Sequence, residues 1–426
     1  MSAATPQDLE ALREAWTEFC ESLRREGEDV LAGRSGDPAD AGELAEALRA
    51  VARIGIMSLQ HRMDFNDPDF PTFFRTMDDR FRYGGPDAYI TYLTATLRGD
   101  ATYRLRAAHH GREFNINVSA PVPVEVNGEI RYALGNRELW PEELQAAADG
   151  SYQVTLGRVP QGANTVALDP DFRGGTRLPD QYPMASGGLM LRTYYWDPGD
   201  PHPGGTFTIE RIDAAAPAGP APLTPSRFAG QLRSAAELLA KAAKWWLARA
   251  VRMRQQNPPN VVAAPGRTPP GVEGFTPPKT GPLNYGVTAF DLADDEVLLI
   301  DTDVPPARYW SFQLYNAWWE APEMQHRQTS LSHREAFVDA DGRCRMVIAH
   351  ADPGVPNWLD TGGSRRGFLF YRWLRPADAL PAPVGHVVKK AELRALLPVS
   401  HPVIDQAARR ERLSERRARF ARRFQS

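Results

Sequence analysis

"GLMLRTYYWDP", residues 188–198, and "GFLFYRWLRP", residues 367–376, decide how this chain is read. Each is an apolar and aromatic run with an arginine inside it, Arg192 and Arg372, and a proline at its end, the composition of a strand with a buried face. Working outward, further matches keep the same order. "DGSYQVTL" (149–156) stands before the first run and "DGRCRMVI" (341–348) before the second; before those come "ATYRLRA" (101–107) and "ARYWSFQ" (307–313). Asn164 and Asn357 follow the matched aspartates, Asp149 and Asp341, by 15 and 16 residues. Three matches in one order predict duplication of a single β-unit.

The flanking sequence supports this. Short runs rich in Tyr, Thr, Val, Ile and Leu, separated by Gly, Asp, Asn and Pro, fill 88–211 and return over 285–376. Apolar residues at three- and four-residue spacing predict helices over 7–32, 41–60 and 225–256, with two more at 388–397 and 402–424. The expected fold is mainly β with helical additions: two related jelly-roll-like antiparallel β-sandwich units, N-terminal helices, a long inserted helix and C-terminal helices. The expected segments are 1–85 helical and irregular, 86–212 the first sandwich, 213–284 linker, long helix and proline-rich strap, 285–380 the second sandwich, and 381–426 C-terminal helices. Packed side by side, two such units leave a groove, with the strap of 257–284 across it as cover or lid.

Composition excludes several classes. The chain has 426 residues, with 50 Lys plus Arg against 53 Asp plus Glu, so its net charge of -3 gives no electrostatic reason for a nucleic acid or membrane partner. The basic C-terminal stretch "DQAARRERLSERRARFARRF" interleaves Glu411 and Glu415 and reads as a solvated helix packed by a narrow apolar stripe. Two cysteines, Cys20 and Cys344, rule out a disulfide framework, and with no basic-then-apolar start the protein is expected in the cytoplasm. There is no P-loop, no G-x-G-x-x-G and no G-x-S-x-G, and His109 with His110 form no metal-ligating pattern. No cofactor and no metal is expected; the sandwich edges leave a homodimer open.

"ARYWSFQLYN", "DGRCRMVIAH" and "PNWLDTGGSRRGFLFYRWLRP" together resemble the bacterial family designated domain of unknown function twelve-fourteen, and "GDATYRLRAAHHGREFNINVS" is similar to the upstream half of such proteins. The resemblance covers roughly residues 80 to 376 and implies a jelly-roll type sandwich. It implies no catalytic residues, only the structural corner Asn357, Trp358 and Leu359.

Candidate chemistry therefore comes from residue types. Acid/base cleavage needs a protonated acid and a base or nucleophile held a few ångström apart. Glu320, Glu323, His326 and His333 crowd one stretch, and Asp360 or Asp87 supplies a further carboxylate. Flat rings at Tyr309, Trp318, Trp319 and Trp358 suit a sugar or a fused hydrocarbon, and because Trp318 and Trp319 are neighbours one of them is expected to face outward. Arg372, and Arg192 at the corresponding place in the first block, suit a carboxylate or phosphate or a structural salt bridge. These features predict an enzyme of small-molecule metabolism, a hydrolase or another acid/base enzyme, in an aromatic-lined groove between the units. The alternative is a protein that binds a glycan or hydrophobic ligand, or another protein, without turnover.

Overall fold

In the computed structural model the described residues are 5–108, 113–118, 122–126, 129–133, 137–158, 161–168, 186–194, 205–213, 217–266, 282–304, 306–377 and 380–422. His109 and His110, the middle of the strap and part of the 213–225 linker lie outside them. Two helices come first, α1 (Pro6–Leu31) and α2 (Ala41–Asp64). Thr5 and Asp8 form a reciprocal cap on α1, and Asp40 caps α2.

The first β-unit contains β1 (Phe74–Met77), β2 (Ile90–Arg98), β3 (Tyr103–Ala108), β4 (Glu113–Val118), β5 (Val122–Val126), β6 (Glu129–Ala133), β7 (Arg137–Leu139), β8 (Tyr152–Gly157), β9 (Thr165–Ala167), β10 (Ser186–Tyr194) and β11 (Thr206–Arg211). Helix α3 (Pro225–Gln256) follows, with the bounds its apolar stripe predicts. The second unit contains β12 (Leu283–Asp291), β13 (Glu296–Asp303), β14 (Ala307–Asn316), β15 (Ser330–Ser332), β16 (Arg343–Ala349), β17 (Trp358–Asp360), β18 (Arg366–Pro376) and β19 (Val384–Lys389). Helices α4 (Leu393–Leu396) and α5 (Gln406–Arg422) close the chain.

Strand order establishes the duplication. The first unit stacks β1-β2-β10-β4-β7 on β11-β3-β8-β9; the second stacks β12-β18-β14-β15 on β17-β16-β13-β19. Taken strand for strand the two orders coincide, with β1 added at an edge and β5–β6 as a separate ribbon. Even the departures repeat: β8–β9 and β16–β17 are parallel pairs in otherwise antiparallel sheets. Each sandwich has its own core. Leu97, Phe114 and Leu191 meet Leu105, Val154 and Val166 in the first, and Phe312, Leu369 and Trp373 meet Ile300, Met346 and Leu359 in the second.

Two sequence expectations change. "ATYRLRA" is β3, whose topological counterpart is β13; "ARYWSFQ" lies in β14, the counterpart of β4. Both are alternating strands, so two shared residues, Ala101 with Ala307 and Tyr103 with Tyr309, could not say which sheet each joins. The segment 388–397 begins in a strand, because β19 pairs with β13 over Val384–Lys389 and completes the second sandwich. Only four residues of it, Leu393–Leu396, are helical.

The space between the units is filled. Trp246 and Leu239 of α3, Ile54 of α2, Tyr194 of β10 and Tyr309, Phe368 and Phe370 of the second unit belong to one buried cluster. An aromatic groove was expected here; the rings instead form a core, each contributing on the order of 2–3 kcal/mol by leaving water.

Candidate functional site

The segment 78–89 threads this core. Asp78 turns it by accepting from the N–H groups of Arg80 (2.7 Å) and Phe81 (3.1 Å). Gly84 and Gly85 then take φ of 80° and 75°, and a side chain at Gly85 would collide with the Trp319 ring. Asp87 follows, fully buried against the outer face of β14 and β18. Its carboxylate accepts from Tyr309 Oη (3.0 Å), Ser311 Oγ (2.5 Å), Tyr89 N–H (2.8 Å) and an Arg372 guanidinium nitrogen (2.9 Å). Arg372 also donates to the Gly85 carbonyl (3.1 Å) and to Tyr315 Oη (3.2 Å), and its guanidinium lies 4.5 Å from the centre of the Phe370 ring. Burial, reinforced by Asp87, pushes the Tyr309 phenol well above its usual range. With its oxygens engaged by four donors, Asp87 pins the segment to the second unit.

A second polar cluster joins α2 to the turn after β14. Glu320 is fully buried, its carboxylate 2.6 Å from Arg53 and 3.1 Å from Arg49. Asn316 donates to the same carboxylate (3.3 Å) and accepts the Glu320 N–H (3.0 Å). Arg49 also reaches Glu46, at 3.5 Å, and Ser364 donates to Glu46 at 3.1 Å. Burial raises the Glu46 carboxyl above its ordinary value; Arg49, Ser364 and Asn316 work against this, and the Glu320 charge works with it. Arg82 faces the same group. Burial lowers its guanidinium, as do Arg53 and Arg49, and its Nε has no partner among the described residues. Two carboxyl groups and three guanidiniums thus share one half-buried place, reached from solvent along Arg49, whose side chain is 44% exposed.

The remaining candidates separate. Glu323 and His326 form a local turn in which His326 donates its backbone N–H (2.6 Å) and holds Nδ1 at 3.2 Å. Burial alone would raise Glu323, but these bonds and the Gln325 N–H carry it below the usual value. His333 lies edge-on to Tyr309, and burial lowers it to about 4. Asp360, buried on the far sheet, pairs with Arg327 at 2.9 Å. Trp358 donates to the Ala349 carbonyl (3.0 Å) beneath Arg409.

Trp318 and Trp319 are both buried, contrary to the strand expectation, because they lie in a turn beyond β14 and Trp319 has φ of 64°. Trp318 donates to the Glu43 carbonyl (2.7 Å); Trp319 stacks on Tyr315 and lies under Arg249. Arg192 stands opposite Tyr92 and Asn115, as Arg372 stands opposite Tyr285 and Ser311. Each is the seventh residue of its strand, counting from Ser186 and Arg366. The cluster thus keeps Glu320 from the expected set and adds Glu46, Arg49, Arg53 and Arg82. A signal existed in "AEALRAVARIG": residues 46, 49 and 53 recur at helical spacing and share one face of α2.

Residues 289–378 match the model of a protein family of unknown function, DUF1214. The matched residues fall within the second β-unit. The match is shorter than the span over which the sequence resembles the family, but it falls on the same strands, β14, β16 and β18. The crystal structure of an uncharacterized Burkholderia cenocepacia protein superimposes with a TM-score of 0.74 at 27% identity, over 90% of this chain and 99% of that one. A Vibrio parahaemolyticus protein aligns with a TM-score of 0.43 at 13% identity, over 80% of this chain and 98% of that one. No curated protein matches the sequence. Among the described residues no helix is long and apolar enough to cross a membrane.

Proposed function

We propose that the chain is an acid/base enzyme of hydrolase type acting on a small molecule, with Glu46 and Glu320 as its carboxyl pair. The observation that carries this is the shared Arg49, 3.5 Å from one carboxyl and 3.1 Å from the other. Neighbouring carboxyl groups in unequal surroundings divide the roles of acid and base. Glu320 has two guanidinium partners at ion-pair distance, whereas burial favours a proton on Glu46. Glu46 is then the proton donor, Glu320 orients it through Arg49 and Asn316, and Arg82 receives an anionic group of the substrate.

The unpartnered Arg82 Nε supports a second reading, binding of an anionic small molecule or glycan without turnover. A panel of p-nitrophenyl glycosides and acyl esters, with carboxylates and inorganic phosphate in a melting assay, separates the two. The enzyme reading expects turnover that falls at least about 100-fold in Glu46→Gln, a variant that keeps its melting temperature. Turnover that survives Glu46→Gln would overturn the assignment. Anion-dependent stabilisation without turnover, lost in Arg82→Gln, would establish the binding reading; no response to any member of the panel would overturn both.

A further inference from the structure

Helix α1 buries one apolar stripe in the fold and leaves a second largely uncovered. Ala15, Phe19, Ser22, Glu26 and Val30 are buried, with Ser22 donating to the Ala236 carbonyl of α3. The other face carries Leu9 (53% exposed), Trp16 (60%) and Leu23 (36%). Leu23 rests against Gly55, whose neighbour Ile56 on α2 is 58% exposed. An exposed tryptophan between two exposed leucines on an otherwise charged helix is an unusual use of apolar surface.

Spacing and charge identify what covers it. Leu9, Trp16 and Leu23 are seven residues apart, the repeat of a helix-to-helix seam. The pattern is also symmetric about Trp16. A twofold axis there sets Leu9 of one helix against Leu23 of another, and Trp16 against its own copy. The charges obey the same symmetry: Asp8 and Glu10 flank Leu9, and Arg24 and Arg25 follow Leu23. Antiparallel pairing brings each acidic end to a basic one and sets each helix dipole against its opposite. Parallel pairing would place like charges together.

We propose that α1 is a homodimer interface in which two copies pair antiparallel about Trp16. This stands independently of the acid/base reading, whose residues lie on α2, in the 78–89 segment and in the second unit. Cross-linking tests the geometry, in a Cys20→Ser background with Cys344 buried. Trp16→Cys, on the axis, is expected to give a disulfide-linked dimer. Leu9→Cys alone is expected to give none, whereas Leu9→Cys combined with Leu23→Cys does. The two positions lie about 21 Å apart along one helix, too far to join within a chain. In sedimentation, Trp16→Glu is expected to raise the dimer dissociation constant at least about 100-fold with an unchanged melting profile at low concentration. A wild-type chain that sediments as a monomer at every concentration overturns the proposal, as does cross-linking of Leu9→Cys alone as efficient as that of Trp16→Cys.

Discussion

Asn164 and Asn357 make the same three backbone contacts in the two β-units. Each carboxamide accepts an N–H and donates to a carbonyl on one residue, Gln145 for Asn164 and Phe337 for Asn357. Each main-chain carbonyl then receives an N–H from the preceding strand, Thr155 in β8 and Val347 in β16, both at 2.9 Å. Gln145 and Phe337 precede the matched aspartates by four residues, and Thr155 and Val347 follow them by six. The asparagine is therefore the latch that starts the short parallel pair in each unit.

The copies differ in burial, and so in what the latch is worth. Asn357 is fully buried and adds a bond to the Arg345 carbonyl (2.9 Å); Asn164 is partly exposed. Asn357→Ala leaves several polar groups unpaired without water and is expected to cost about 3 kcal/mol; Asn164→Ala, where water can replace the amide, about 1 kcal/mol. Denaturant unfolding of the two variants decides, and equal losses would contradict the argument.

Asp87 and Arg372 form a buried ion pair at 2.9 Å that joins the 78–89 segment to β18. Asp87→Asn is expected to destabilise by about 3–5 kcal/mol, since it leaves a buried guanidinium without its counter-charge. Adding Arg372→Met is expected to recover a large part of that loss. A double-mutant cycle in which the two losses simply add would show that the pair is not coupled.

Much of the architecture was legible, and the reason is local. Strand matches such as "DGSYQVTL" with "DGRCRMVI" carry their own turn, because Asp149 and Asp341 each accept an N–H two residues on. The helix of 225–256 carries its own cap and stripe. What the sequence hid is long-range. Nothing near Glu320 announces Arg49 and Arg53, some 270 residues upstream, and a ring of Trp318 type looks the same in a core as in a groove. Local spacing reports which face a residue shares, and only the packed fold reports what meets that face.

Helix α5 corrects the reading of a solvated basic helix. Arg409 and Arg416 are buried: Arg409 pairs with Asp352 (2.9 Å) and donates to the Val355 carbonyl (2.6 Å), while Arg416 reaches the Met324 carbonyl (2.6 Å) and Ser330 Oγ (2.6 Å). These arginines satisfy carbonyls of the loops before β15 and before β17, Met324 and Val355, and of Ser330 in β15. Arg416→Met is expected to destabilise by about 3 kcal/mol. Arg410→Gln and Arg417→Gln, on the exposed side, are expected to change stability by less than about 0.5 kcal/mol. Thermal denaturation of the three variants tests this, and similar losses in all would sink it.

Glu26 sets a pH dependence whose sign can be worked out. It is buried between α1 and α3, its Oε1 has no hydrogen-bond partner among the described residues, and Lys244 approaches only to 3.9 Å. Burial raises its carboxyl from 4.5 to about 7, against the pull of Lys244. Below about pH 4.5 both folded and unfolded chains hold the proton, so this group does not affect stability. Between there and about 7 the unfolded chain has released a proton that the folded chain keeps, and stability falls as pH rises. His333, lowered from 6.5 to about 4, has the opposite slope over part of this range, because the unfolded chain takes up a proton first as pH falls. The wild-type profile therefore mixes the two, and the difference from Glu26→Gln isolates the first. Glu26→Gln is expected to match the wild type near pH 4 and to exceed it by about 2 kcal/mol at pH 8. Parallel stability curves for the two proteins from pH 4 to 8, by urea unfolding, would mean that Glu26 ionises as freely in the fold as outside it.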